Sequence, residues 1–209
     1  MSDNTLINAG SGGDTIATDD IGGIKFQRNK LILGADGVND GDVAVGNPMP
    51  VRGYAFTATT SFSRPADTTA YTSGDCFSDS TTAPTSGGFV LSSVARASGG
   101  SGVLTDLLIT STAVSAMNGR IWLFDQAVTN ANDNSALSLS DADLLNAIGA
   151  WAFTLSPMTN NSFCHLQNLA KAFTCSGSPN LRFLIEVTAA YTPTSAETLR
   201  VRAMGLQAT

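Results

Sequence analysis

His165 is the only histidine in the chain, so a Ser-His-Asp triad or an imidazole metal site would have to be built on it. Serine and aspartate are plentiful, but there is no GxSxG elbow, and a surface or structural role suffices for this residue. Cys164 precedes it directly. Adjacent residues on a strand point to opposite faces, so the two cannot form a thiolate–imidazole pair. Cys76, Cys164 and Cys175 are an odd number with no CxxC spacing, which fits neither a disulfide framework nor a zinc site. Cys164 and Cys175 can pair only if their strands are neighbours, and free buried thiols are the expectation in a reducing cytosol. Glu186 and Glu197 are the only glutamates and lie far apart in sequence. A glycosidase would need aspartates such as Asp125 and Asp133 to converge, with Trp122 or Trp151 lining the sugar site. Core or interface packing is the expected role of both tryptophans.

The segment Asp36-Gly-Val-Asn-Asp-Gly-Asp42 has the outline of a calcium loop. With Gly41 set at the invariant glycine, Asp36 and Asp40 take the first and fifth ligand positions. Val38 then falls where a ligand is required, and Asn47 where a bidentate glutamate should close the site. A glycine-rich acidic turn is therefore expected, with no metal, no cofactor and no enzymatic activity.

Composition narrows the class. Charged residues make up 13% of the 209-residue chain, lysine occurs at positions 25, 30 and 171, and Ser, Thr, Gly, Ala and Asn take their place. That texture suits short strands and turns rather than long helices. A net charge of −6 argues against direct nucleic-acid binding, which needs clustered basic residues. No stretch reaches the ~18 apolar residues of a membrane span, and the N-terminus lacks the pattern of a secretory signal.

Alternating runs predict strands near 51–63, 71–77, 89–97, 103–112, 120–125, 151–155, 162–166, 170–175, 181–188 and 198–206. Asn118-Gly119 reads as a tight turn. Ser140-Asp-Ala-Asp143 reads as a capping box opening one short helix, with Leu144, Leu145 and Ile148 as its apolar side and Gly149 as its end. Irregularly spaced strands with one helix in a crossover loop predict an all-β chain, an antiparallel jelly-roll-like β-sandwich over 51–209. The absence of βαβ alternation excludes a parallel nucleotide-binding sheet.

Residues 1–50 have a different texture and predict an extended N-terminal docking arm. A polar Gly/Ser/Asp/Asn/Thr lead runs to Asp20, and a short apolar and basic strand follows at 24–33. The acidic glycine loop then ends at Asn47-Pro-Met-Pro50. Alone in water, such a segment buries too little apolar surface to offset its ordering entropy, so it is expected to lie on something else.

Gly13-Asp-Thr-Ile-Ala-Thr-Asp-Asp-Ile-Gly-Gly-Ile-Lys-Phe-Gln-Arg28, continuing through Lys30-Leu-Ile-Leu-Gly-Ala-Asp36 to Asn47-Pro-Met-Pro-Val51, resembles an N-terminal segment of tailed-bacteriophage virion proteins. Ser63-Arg-Pro-Ala-Asp-Thr-Thr-Ala-Tyr71, Leu123-Phe-Asp125, Ala131-Asn-Asp-Asn134 and Tyr191-Thr-Pro-Thr-Ser-Ala196 are similar to a phage structural β domain. The resemblance implies a non-enzymatic capsid decoration (cement) protein of the virion, assembled in the host bacterial cytoplasm. Its implied partners are the major capsid protein and other copies of itself, as a homotrimer. Ile21, Ile24, Phe26, Leu31 and Leu33 are the expected apolar anchors of the arm, with Lys25, Arg28 and Lys30 pairing with acidic surface on the partner. A tail, neck or fibre-base component is the alternative in the same class. A carbohydrate-binding or depolymerising sandwich acting on the host surface is the alternative outside it.

Overall fold

Leu199, Val201 and Ala203 alternate with Arg200 and Arg202, and in the structure the first set is buried and the second exposed, as one-sided burial of a strand requires. The structure, a computed structural model, describes residues 4–6, 15–21, 24–27 and 54–208. The chain divides into two units, Met1–Val51 and Arg52–Thr209.

In the first unit β1 (Asn4–Leu6), β2 (Thr15–Ile21) and β3 (Ile24–Gln27) form an antiparallel sheet in that order. The polar lead expected to run without regular structure to Asp20 therefore holds a seven-residue strand, β2. Its threonines and isoleucines are strand formers, and the Gly22-Gly23 dipeptide between β2 and β3 matches a two-residue hairpin connection. Tertiary pairing outweighed the disordered look of the composition.

The second unit contains β4 (Tyr54–Ser63), β5 (Cys76–Phe77), β6 (Phe89–Leu91), β7 (Ser101–Ser111), β8 (Asn118–Phe124), α1 (Asp141–Leu145), β9 (Ala147–Thr154), β10 (Ser156–Pro157), β11 (Ser162–Leu166), β12 (Lys171–Thr174), β13 (Leu181–Val187) and β14 (Thr198–Gln207). One sheet runs β4-β14-β7-β11-β10 with β12 also on β7, and the other runs β5-β13-β8-β9 with β6 also on β13. Every pairing is antiparallel. With β5 and β6 counted as one split strand and β11 and β12 as another, this is the jelly-roll strand order. The first and last strands lie side by side in one sheet, and the two sheets close over a single core.

That core is filled from both inner faces by Phe56, Phe62, Leu107, Ile109, Ile121, Leu123, Phe183, Ile185 and Val201 among others. Phe62 stacks on Phe89 across the sandwich at 3.6 Å and meets Phe77 edge-on at 5.9 Å. A smaller cluster of Phe124, Val128 and Leu184 lies on the outer side of the second sheet, with Trp122, Leu137 and Leu139 packed against it. The 125–140 loop thus covers the outer face of one sheet.

Several local expectations change. Asn118-Gly119 lies inside β8 rather than in a turn. A Cβ on Gly119 would sit 2.5 Å from the Phe153 ring, so glycine is there for close packing. The strand expected at 89–97 ends at Leu91, and Ser93 takes a left-handed backbone with φ 57°. The Ser140–Asp143 capping box is present, but the helix ends at Leu145 with Asn146 as its cap, and Gly149 belongs to β9. Leu145 is 87% exposed and Leu144 43%, which overturns their assignment to a buried helix side.

Candidate interaction surfaces

Carboxylates meet hydroxyls and a guanidinium in two places within the second unit. Arg64 follows β4 and is buried with Asp133. Its Nη2 donates to Asp133 Oδ2 at 3.2 Å and to Asp67 Oδ1 at 2.9 Å, and its Nε donates to Tyr71 Oη at 2.9 Å. Tyr71 Oη and the Ser78 backbone N–H donate to Asp133 Oδ1 at 2.6 and 2.9 Å. Glu197, just before β14, is also buried; it accepts from Tyr191 Oη at 2.7 Å and from the Ser111 hydroxyl. Burial pulls the Arg64 guanidinium down, but its hydrogen bonds to Asp67 and Tyr71 and the Asp133 charge hold it above its ordinary value. Burial raises both tyrosines, with Asp133 adding to the rise at Tyr71. These groups are satisfied and, apart from Asp67, whose side chain is 38% exposed, closed to water. They pin loops to strand ends and present nothing to a substrate.

The residues singled out for catalysis are not assembled into a site. His165 points outward from β11, with Asp106 3.5 Å from its Nε2 and Gln167 2.8 Å from its Nδ1. Asp133 is committed to Arg64 and is no free partner for Asp125. Trp122 donates to Glu186 Oε2 at 2.8 Å and packs on the smaller cluster, while Trp151 packs on the main core. All three cysteines are free. Burial pushes the Cys76 thiol up to about 12, and burial with the Asp125 charge pushes Cys175 up to about 11, so neither is a nucleophile at neutral pH. No group of three or more metal-ligating side chains occurs among the described residues. No helix among them is long and apolar enough to cross a membrane.

Asp125 Oδ1 is buried without a hydrogen-bond partner, and desolvation raises this carboxyl above the usual carboxylate range. A raised folded-state value favours the protonated form. Stability is therefore full below the unfolded value of about 3.9 and falls as pH rises through the folded one. Asp125→Asn should stabilise the domain by roughly 1 kcal/mol at pH 7, given the partial exposure, and by nothing near pH 3. Thermal melts of both proteins at the two pH values check this.

The surfaces left for recognition are of two kinds. In the first unit, the antiparallel register sets Ile21 opposite Ile24, Asp20 opposite Lys25 and Asp19 opposite Phe26. Ile24 is 63% exposed. Four of the expected anchors and cations, Ile21, Ile24, Lys25 and Phe26, are thus gathered on one hairpin. Arg28, Lys30, Leu31, Leu33, the 36–42 loop and Asn47-Pro-Met-Pro50 lie outside the described residues.

In the second unit, a cleft of about 300 Å³ opens where β7 ends and β14 begins. It is lined by Thr110, Thr112, Asn160, Asn161, Thr198 and Arg200, with Ser111 at its floor. Phe163, directly across from Thr110 in the β11–β7 register, is 40% exposed beside it. The exposed stripe of α1 is the other feature. No sequence spacing announces the cleft, because its residues come from three separate segments. The α1 stripe reverses the sequence reading, because the helix is only five residues long and Asp143, not the leucines, takes its buried side.

No known family model matches the chain, and no curated protein sequence matches it.

Proposed function

We propose that this chain is a non-enzymatic structural protein of a tailed-phage virion, a capsid decoration protein that docks on the shell through its N-terminal unit and so stabilises the assembled particle. One observation carries the reading. The segment that resembles virion proteins coincides with the β2–β3 hairpin of a unit separate from the jelly roll, and Ile24 on it is exposed. Among the described residues β3 is an edge strand, so its free side is open to addition of a strand from the partner. Contacts available only on the assembled shell stabilise it by mass action. The half-buried tryptophans and the committed Asp133 weigh against the carbohydrate-processing alternative.

The test compares the full chain with a 52–209 fragment in co-sedimentation with purified host-assembled shells. The fragment is expected to give the circular dichroism and cooperative melt of a folded jelly roll and to bind at least 100-fold more weakly. A fragment that decorates shells as well as the full chain does would refute docking through the N-terminal unit. A copy number in the hundreds per particle supports the shell, whereas a few to dozens places the protein in the tail or neck instead.

A further inference from the structure

Asp141, Leu144 and Leu145 are all exposed and stand at i, i+3 and i+4 of α1, so they form one stripe with an acid at the start and two leucines after it. The stripe is rigidly presented. Ser140 and Asp143 cap the helix reciprocally, and Asp143 Oδ1 also accepts from the Thr129 backbone N–H at 3.1 Å. The 300 Å³ cleft has the opposite character. Its lining holds an exposed arginine, Arg200, among hydroxyls and amides without a carboxylate. Phe163, 40% exposed, lies opposite Thr110, and Met158, 53% exposed, donates its backbone N–H to the carbonyl of the lining residue Asn161 at 2.7 Å.

These two surfaces cannot meet within one chain. α1 follows the far end of β8, whereas the cleft sits at the end of β7, the end from which the chain turns into the start of β8. The cleft lies on the sheet that contains β7 and β14, whereas α1 leads into β9 of the other sheet. We propose that the α1 stripe of one copy docks in the β7–β14 cleft of the next, Asp141 pairing with Arg200 and Leu144 and Leu145 covering Phe163 and Met158. The occupant is a second copy because the same chain carries both halves of a charge-complementary, apolar-centred contact. Such a contact is heterologous: each copy has one donor and one acceptor surface, so assembly proceeds past a dimer, to a ring where the rotation between copies closes and to an open filament where it does not. Self-association of this kind needs no shell, so a test on the free chain fails separately from the docking proposal above.

The test is light scattering on the full chain across about 1–100 μM, with Leu145→Arg and Arg200→Glu as variants. Both positions are exposed, and unchanged melting temperatures establish that the variants fold. The wild type is expected to form species larger than a dimer, and each variant alone to be monomeric. An equimolar mixture of the variants should give a 1:1 dimer and nothing larger, because Leu145→Arg retains an intact cleft and Arg200→Glu an intact stripe. Asp141→Arg combined with Arg200→Asp should restore the larger species. A monomeric wild type, oligomers that survive both substitutions, or a mixture that stays monomeric would each overturn the proposal.

Discussion

Asp133→Ala should destabilise the jelly roll by about 3–5 kcal/mol, the usual effect of removing one partner from a buried ion pair. Arg64 would keep its hydrogen bonds to Asp67 and Tyr71, yet its Nη2 would face an apolar gap where a carboxylate oxygen now sits at 3.2 Å. The Tyr71 hydroxyl and the Ser78 backbone N–H would lose their shared acceptor in the same step. For a chain of this size the change corresponds to a fall in melting temperature of roughly 6–20 °C. Asp133→Asn should cost less, since an amide oxygen still accepts from Tyr71 and Ser78. Replacing the pair together, Arg64→Met with Asp133→Leu, should be milder than Asp133→Ala alone, because no charge is then left buried without its partner. Denaturant melts of the three proteins decide the matter. If the double variant were the least stable, the network's value would lie in its hydrogen bonds to the loops rather than in the charge pair.

Phe62→Ala should cost a similar amount, about 3–5 kcal/mol, for a different reason. The Phe62 ring is the point at which the sheets meet. It stacks on Phe89 at 3.6 Å and also touches Phe77 and Phe183, so all its close aromatic neighbours belong to the opposite sheet. Truncation leaves a void that rigid strands on both sides can close only in part. Phe62→Leu should recover more than half of the loss. A cost below about 1 kcal/mol for the alanine variant would mean that the sheets close over the gap, and chemical denaturation measures it directly.

The all-β class and the sandwich were legible because two-residue alternation survives in the long strands. The runs expected at 162–166, 181–188 and 198–206 correspond to β11, β13 and β14 within a residue or two. Short strands were less visible. β5 and β6 fall inside the runs expected at 71–77 and 89–97 but are only two and three residues long, because pairing with β13 rather than the alternation sets their extent. The burial of Arg64 was not legible, since sequence gives no sign that Asp133, 69 positions away, would neutralise it in the interior. The cleft was hidden for the same reason. Chemistry assembled from distant segments leaves no local spacing to read, whereas the β2–β3 hairpin is local and was missed because the polar composition of residues 1–20 masked its strand formers.

The pairing of β4 has a mechanical consequence. Whatever residues 1–51 grip, tension from them enters the domain at Tyr54, the first residue of a strand held to β14 from Tyr54–Gln207 to Ser63–Thr198. A pull directed along that strand loads all ten residue pairs in shear at once, while a pull across it opens them one at a time. Arg64, locked immediately after the strand, acts as the stop at its far end. The domain is therefore built to resist force from its leading segment along one axis and to yield along another.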